Sequence, residues 1–261
     1  MIHNETWPAG TPAWADLNVP DHHAAQGFYS GLFGWEFQPD AGPEMGYYSM
    51  SERAGSVIAG IAEGDGPAAW TTYLATDDVA SDVAKAIEAG GTVVVGPETI
   101  APFGGFAILT DPLGAVFGLW EALEHTGASV VNEPGAMIWN ESYGEDLAVA
   151  KAFYGHIFGY TFGVMSQPGF EYETIALGDG QPVGGLGGPG SKPAGSPPAW
   201  YVYFATADTE AAVERVTALG GSVIDGPRPS PFGTMATVAG PAGEVFVLMS
   251  TSEPETVEQS D

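Results

Sequence analysis

The chain has 261 residues, with 33 acidic against 6 basic side chains, a formal net charge of −27 at pH 7, and 44% hydrophobic residues. At roughly 150 residues per domain, that length suggests two domains with ample material for a core, which excludes wholesale disorder. A surface this negative repels phosphate backbones and anionic lipid, no apolar run reaches the roughly 18 residues of a spanning helix, and the lack of cysteine excludes disulfides and Cys-ligated zinc.

The N-terminus, Met1-Ile2-His3-Asn4-Glu5-Thr6-Trp7, has neither the basic nor the apolar segment of a signal peptide. The expectation is a cytoplasmic protein whose partner is a small molecule, not nucleic acid or membrane. Ala13 to Val19 alternates and reads as a strand, and Asp21 is placed to cap a helix over His22 to Phe33. Shorter alternating segments follow around Tyr47–Met50 and Val57–Ile61. The pattern then restarts with a strand at Trp70–Thr76 and a helix at Val79–Ala89. A Gly-Gly stop and strands near Val93, Phe106–Leu109 and Ala115–Trp120 complete it.

After a linker near residues 122–135 the chain is written again. An offset of 125 residues relates Trp14 to Trp139, Tyr47 to Tyr172 and Gly60 to Gly185. It becomes 130 at Trp70 and Trp200, because a longer loop, Gly187 to Pro193, enters the second copy. The reading is two domains, 11–122 and 135–250, and an acidic tail at 251–261. Each domain is expected to be α+β, a pair of βαβββ units in a cupped, mostly antiparallel mixed sheet.

Phe28-Tyr29, Leu32-Phe33-Gly34-Trp35, Asp77-Asp78, Ala89-Gly90-Gly91 and Asp111-Pro112-Leu113-Gly114 mark the first copy. Phe153-Tyr154, Phe158-Gly159, Asp208, Gly220-Gly221 and Gly240-Pro241-Ala242-Gly243 mark the second. With this arrangement the chain resembles the vicinal-oxygen-chelate superfamily of glyoxalase I, bleomycin-resistance proteins and extradiol dioxygenases. Within it, the chain is similar to tandem-domain actinobacterial proteins labelled glyoxalase-like or hydroxylase. The resemblance implies a divalent cation held in each cup by His and Glu from the first, fifth and last strands. The matching positions are Trp14, Thr71 and Gly118 in copy one and Trp139, Tyr201 and Val247 in copy two. None can supply imidazole or carboxylate, so the expectation is no metal and no cofactor.

Strand alternation places Trp14, Asp16, Asn18, Thr71, Tyr73, Gly118 and Trp120 on the cup face of copy one. Trp139, Glu141, Tyr143, Tyr201, Tyr203, Val247 and Met249 take the same face in copy two. All but Asn18, Tyr143, Val247 and Met249 are taken as ligand-binding candidates, since aromatic walls with a carboxylate suit a planar or cationic molecule. Asp16 and Glu141 are the candidate catalytic residues, as ligand anchors or as general bases with raised pKa. The bland alternative is that they accept hydrogen bonds from neighbouring Tyr or Trp.

Gly118 leaves room in copy one, which makes the first cup the expected working pocket and the second the more filled. The five histidines, His3, His22, His23, His125 and His156, are expected in surface roles. Gly185 to Gly190 matches G-x-G-x-x-G but precedes Ser191 to Pro198, which cannot open a helix, so it reads as a loop. Pro102-Phe103-Gly104 and Pro231-Phe232-Gly233 read as turns at the cup mouths, able to carry a gating Phe. Three functions follow: a metal-independent small-molecule binder, a glyoxalase- or dioxygenase-type enzyme with atypical ligands, or a pseudoenzyme acting through protein contacts. The chain would be a monomer or homodimer.

Overall fold

The computed structural model describes His3, residues 5–191 and residues 197–251. The expected tail beyond Thr251 and part of the long second-copy loop lie outside the described residues. The first βαβββ unit comprises β1 (Pro12–Val19), α1 (His22–Phe33), β2 (Glu36–Phe37), β3 (Ser49–Arg53) and β4 (Ser56–Glu63). The second comprises β5 (Ala69–Ala75), α2 (Val79–Glu88), β6 (Thr92–Ile100), β7 (Gly104–Thr110) and β8 (Val116–Ala122). The other half repeats this as β9 (Met137–Tyr143), α3 (Leu147–Phe158), β10 (Thr161–Val164), β11 (Tyr172–Ala176) and β12 (Pro182–Gly187). It closes with β13 (Ala199–Ala205), α4 (Thr209–Ala218), β14 (Ser222–Ser230), β15 (Gly233–Ala239) and β16 (Val245–Thr251).

Each half forms one eight-stranded sheet, in the orders β2-β3-β4-β1-β5-β8-β7-β6 and β10-β11-β12-β9-β13-β16-β15-β14. Strands β1 and β4 pair in parallel, as do β5 and β8, and the other neighbours of the first sheet are antiparallel. The fold is therefore two tandem α+β domains with mixed sheets. The stretch Gly185-Leu186-Gly187, read as loop from sequence, instead ends β12, which pairs in parallel with β9. Among the described residues no helix is long and apolar enough to cross a membrane.

An aspartate opens each of the helices α1 to α4. Asp21, Asp78, Asp146 and Asp208 each accept a backbone N–H from the first turn. Helices α1 and α3 stop at Gly34 and Gly159, both left-handed.

The two halves do not bury their cores separately. Phe28, Tyr29 and Phe33 of α1 pack against Phe204 and Phe246 of the second sheet. Phe153 and Tyr154 of α3 pack against Phe117 of the first. Polar relays cross with them. Trp70 Nε1 donates to Tyr29 Oη (3.0 Å), which donates to Glu244 (3.1 Å) in the other half. Trp200 Nε1 donates to Tyr154 Oη (2.8 Å), which donates to Asp111 (3.0 Å).

Asp111 also accepts the turn N–H groups of Leu113 and Ala115. Its counterpart in sequence is Gly240, yet the second relay survives. The Glu244 carboxylate fills the space an Asp side chain would take there, with an oxygen 1.9 Å from where a Cβ on Gly240 would stand.

Candidate functional site

Each sheet curls around a cavity. That of the first half encloses about 430 Å³ and that of the second about 580 Å³. The expectation that the second cup is the more filled is thus reversed. The side chains at the two floors correspond strand by strand, and their hydrogen bonds differ.

In the first cup Trp14 and Asp16 project from β1 and Tyr73 from β5, paired across the strands as Trp14 with Tyr73 and Asp16 with Thr71. Tyr73 Oη donates to Asp16 Oδ2 at 2.9 Å, the one hydrogen bond the Asp16 carboxyl receives among the described residues. Trp14 Nε1 is drawn elsewhere and donates to Tyr48 Oη at 2.9 Å. Burial in this aromatic setting pushes the Asp16 carboxyl up to about 7, although the Tyr73 hydrogen bond works the other way. The same burial, with the Asp16 charge nearby, raises Tyr48 and Tyr73 well above the ordinary phenol range, which keeps both protonated.

Trp120 and Phe106 form the far wall, and Phe103 stands at the mouth, 43% exposed. Met45 and Met50 close the side formed by β3 and the turn before it. The remaining wall is His125, which was expected in a surface linker. Its ring meets Trp14 edge to face at 4.4 Å and Trp120 at 5.3 Å, and Trp120 Nε1 holds its carbonyl at 2.8 Å. Burial lowers its pKa to about 4, so the imidazole is neutral at pH 7. Its Nε2 is buried without a partner among the described residues.

Two candidates from sequence do not face this cavity. Thr71 lies outside the lining, and Gly118 does not provide the room expected of it. The Tyr73 ring lies over Gly118, so that a Cβ there would stand 2.1 Å from Tyr73 Cδ1. Gly118 is what lets Tyr73 lie flat and reach Asp16. Asn18 turns away toward Gly64.

In the second cup every floor donor converges on Glu141, which is 7% exposed. Trp139 Nε1 (2.9 Å) and Tyr172 Oη (2.5 Å) donate to Oε1, and the hydroxyls of Tyr143 and Tyr203 donate to Oε2. Burial first, and the Glu141 charge second, raise all three tyrosines far above the usual phenol range. Tyr201 sits below the opening, edge-on to Tyr143 at 5.6 Å, and does not line the cavity. Met165, Met235, Met249 and Phe232 form the walls.

The geometry also revises the alignment of the repeat. Tyr172 corresponds to Tyr48, not Tyr47: each hydroxyl accepts a Trp Nε1 (Trp14 or Trp139). Each also lies over a glycine, Gly60 or Gly185, where a Cβ would come within 2.0 or 2.2 Å of it. Tyr47 instead stacks on His22 at 5.0 Å. His22 is itself buried, at 4% exposure, and its Nδ1 lies 2.6 Å from Glu63, so a surface role does not describe it.

A divalent cation finds no fitting donor set. Among the described residues no three His, Asp or Glu side chains cluster closely enough to hold one. The first floor offers a lone carboxyl, and the carboxylate of the second already accepts four hydrogen bonds.

Residues 14–120 match the glyoxalase-like domain, and residues 141–248 match the Glyoxalase/Bleomycin resistance protein/Dioxygenase superfamily. "Putative glyoxylase CFP32" of Mycobacterium tuberculosis (strain CDC 1551 / Oshkosh) is 39% identical over 259 residues, covering 95% of this chain and 98% of that one. Anthracycline biosynthesis protein DnrV of Streptomyces peucetius is 33% identical over 264 residues, covering 94% of each chain. Among solved structures, the Mn(II)-bound glyoxalase from Novosphingobium aromaticivorans superposes with a TM-score of 0.63 at 16% identity, over 94% of this chain and 83% of that one. Homoprotocatechuate 2,3-dioxygenase from Arthrobacter globiformis gives 0.64 at 17% identity, over 95% and 84%. At such identities the likeness to those structures shows the fold. By its two domain matches and its full-length relatives, the chain belongs to the glyoxalase/bleomycin resistance/dioxygenase superfamily.

Proposed function

We propose that the first cup binds a planar organic cation and does so without a metal. The observation that carries this reading is Asp16, a carboxyl with one hydrogen-bond partner at the floor of an aromatic cavity. Ionised in that place, it is poorly solvated and gains most from a ligand that brings positive charge. Trp14, Tyr73 and Trp120 offer ring faces for the same charge, a contact worth about 0.5–2 kcal/mol depending on desolvation. The neutral His125 leaves one ring nitrogen for a second hydrogen bond. The cavity, at about 430 Å³, falls in the range of roughly 300–1,000 Å³ typical of small-molecule sites. The net charge of −27 concentrates cations around the protein. The name of the Streptomyces relatives, which places them in anthracycline biosynthesis, agrees with a polycyclic aromatic class of ligand.

The test is fluorescence titration with 9-aminoacridine, a planar cation, at about 0.15 M salt to screen surface charge. Affinity is expected to rise as pH climbs through about 7 and Asp16 ionises. Asp16→Asn is expected to flatten that rise and weaken binding above pH 7 by at least about tenfold, or about 1.4 kcal/mol. Binding indifferent to both pH and Asp16→Asn would sink the reading.

A second reading, proton transfer on a bound carbonyl compound, is favoured by the same carboxyl. A general acid or base works best with a pKa near the working pH. Deuterium exchange at carbon next to a ligand carbonyl, lost in Asp16→Asn, would select it over simple binding.

A further inference from the structure

We propose that the second cup is a separate binding site, for an uncharged and largely apolar ring compound. Its floor is chemically closed. A carboxylate offers about four lone-pair positions, two on each oxygen. Each Glu141 oxygen accepts two donors, Trp139 Nε1 and Tyr172 Oη on one and the Tyr143 and Tyr203 hydroxyls on the other. The acid has no position left for a ligand donor. Each tyrosine has spent its single hydrogen on Glu141, so none is left to donate to a ligand acceptor.

What remains of the cup is apolar but for Thr174, whose hydroxyl donates to the Gly163 carbonyl at 3.4 Å. Met165, Met235 and Met249 line it together with Ile138, Phe232 and the face of Trp139. Methionine is unbranched and polarisable, and it adapts to ring systems of varied outline. Phe232 stands at the mouth and is 52% exposed, as a residue covering a ligand would be. The volume, about 580 Å³, is the larger of the two cups, so the closed floor does not come from a filled cavity.

The two cups therefore differ in the class of molecule they take. The first binds charge and follows pH through Asp16. The second buries apolar area, and no group on its floor changes its hydrogen bonds when the ligand enters.

The methionines report on this without any substitution. Met165, Met235 and Met249 line only the second cup, and Met45 and Met50 only the first. With the methionine methyl carbons labelled, the wild-type chain is titrated with 1-methylnaphthalene, a neutral fused-ring probe, and separately with 9-aminoacridine. The expected result is a saturable shift of the three second-cup methyls with 1-methylnaphthalene, varying less than about twofold in affinity from pH 6 to about 8.5. Met45 and Met50 should stay in place. Met235→Trp, which adds bulk to the wall, should weaken this binding at least tenfold.

No saturable shift at Met165, Met235 and Met249 would overturn the proposal. So would shifts confined to Met45 and Met50, or an affinity that changes tenfold with pH. The 9-aminoacridine titration is read at Met45 and Met50 alone, so failure of the first-cup reading is scored independently.

Discussion

The floors of the two cups are built on equivalent strands with nearly the same side chains, and one methylene and one tyrosine separate their hydrogen bonding. Trp14 and Trp139, Tyr48 and Tyr172, and Tyr73 and Tyr203 occupy matching places around Asp16 and Glu141. The longer Glu141 reaches into the ring of donors and collects the Trp139 and Tyr172 hydrogens. The shorter Asp16 leaves the Trp14 hydrogen to Tyr48 alone. The second cup also has Tyr143 where the first has Asn18, and Tyr143 adds a fourth donor to Glu141. The difference teaches that an acid's position in a fold does not set its role. The number of hydrogens aimed at it does.

That comparison can be broken most visibly at Glu141. Glu141→Gln keeps the shape but places an amide hydrogen-bond donor among the tyrosine hydroxyls. Leaving two buried donors without acceptors costs about 1–3 kcal/mol each, so a loss of about 3–5 kcal/mol is expected. Urea unfolding at fixed pH reads it, and a loss under about 1 kcal/mol would mean that the four contacts contribute little.

The matching change in the first cup should have the opposite sign. A carboxyl whose folded pKa lies above its unfolded value holds its proton more tightly in the folded state. Stability therefore falls as pH rises from near 4, where the unfolded carboxyl ionises, to about 7, and levels off above that. Asp16→Asn removes this penalty. It should leave stability nearly unchanged at about pH 4 and raise it by a few kcal/mol at about pH 8, as the variant's unfolding midpoint would show. Destabilisation at about pH 8 would place Asp16 in the same structural role as Glu141.

A smaller effect is expected at Gly118. Gly118→Ala puts a methyl against the Tyr73 ring, which must move, and such crowding typically costs about 1–3 kcal/mol. The moved Tyr73 should release Asp16 and weaken 9-aminoacridine binding while 1-methylnaphthalene binding persists. Loss of both ligands would show that the cups are coupled. The smallest effects belong to the relays between halves. Tyr29→Phe and Tyr154→Phe each strand a Trp indole and remove one donor from Glu244 or Asp111, at about 1–2 kcal/mol, similar in the two copies by thermal unfolding.

Much of this was legible in the sequence because strand alternation and a fixed repeat are local signals. Trp14, Asp16 and Tyr73, and their partners Trp139, Glu141 and Tyr203, follow from counting every second residue on two strands. The cap of α1 followed from Asp21 ahead of its apolar run. What counting could not reach depends on tertiary contact. His125 follows the last strand of its sheet in a segment with no periodicity, and only the packing of Trp14 and Trp120 draws it into the cup. Tyr48 precedes a short strand after an irregular turn, so its register, one residue off the repeat, shows only in its bond to Trp14. Gly118 looked like open space because a sequence gives no account of which ring lies over a missing side chain. The relay through Glu244 was hidden for a related reason, since the Asp it replaces sits four residues earlier in the motif.

The central claim is that Asp16 is an open acid, and its own titration tests that most directly. With aspartate carboxyl carbons labelled, and the Asp16 signal identified by its loss in Asp16→Asn, the resonance is followed from about pH 4 to 9. The midpoint is expected at about 7, moving downward when 9-aminoacridine saturates the cup and stabilises the ionised form. A midpoint near 4, the ordinary aspartate value of about 3.9, unchanged by the cation, would contradict it.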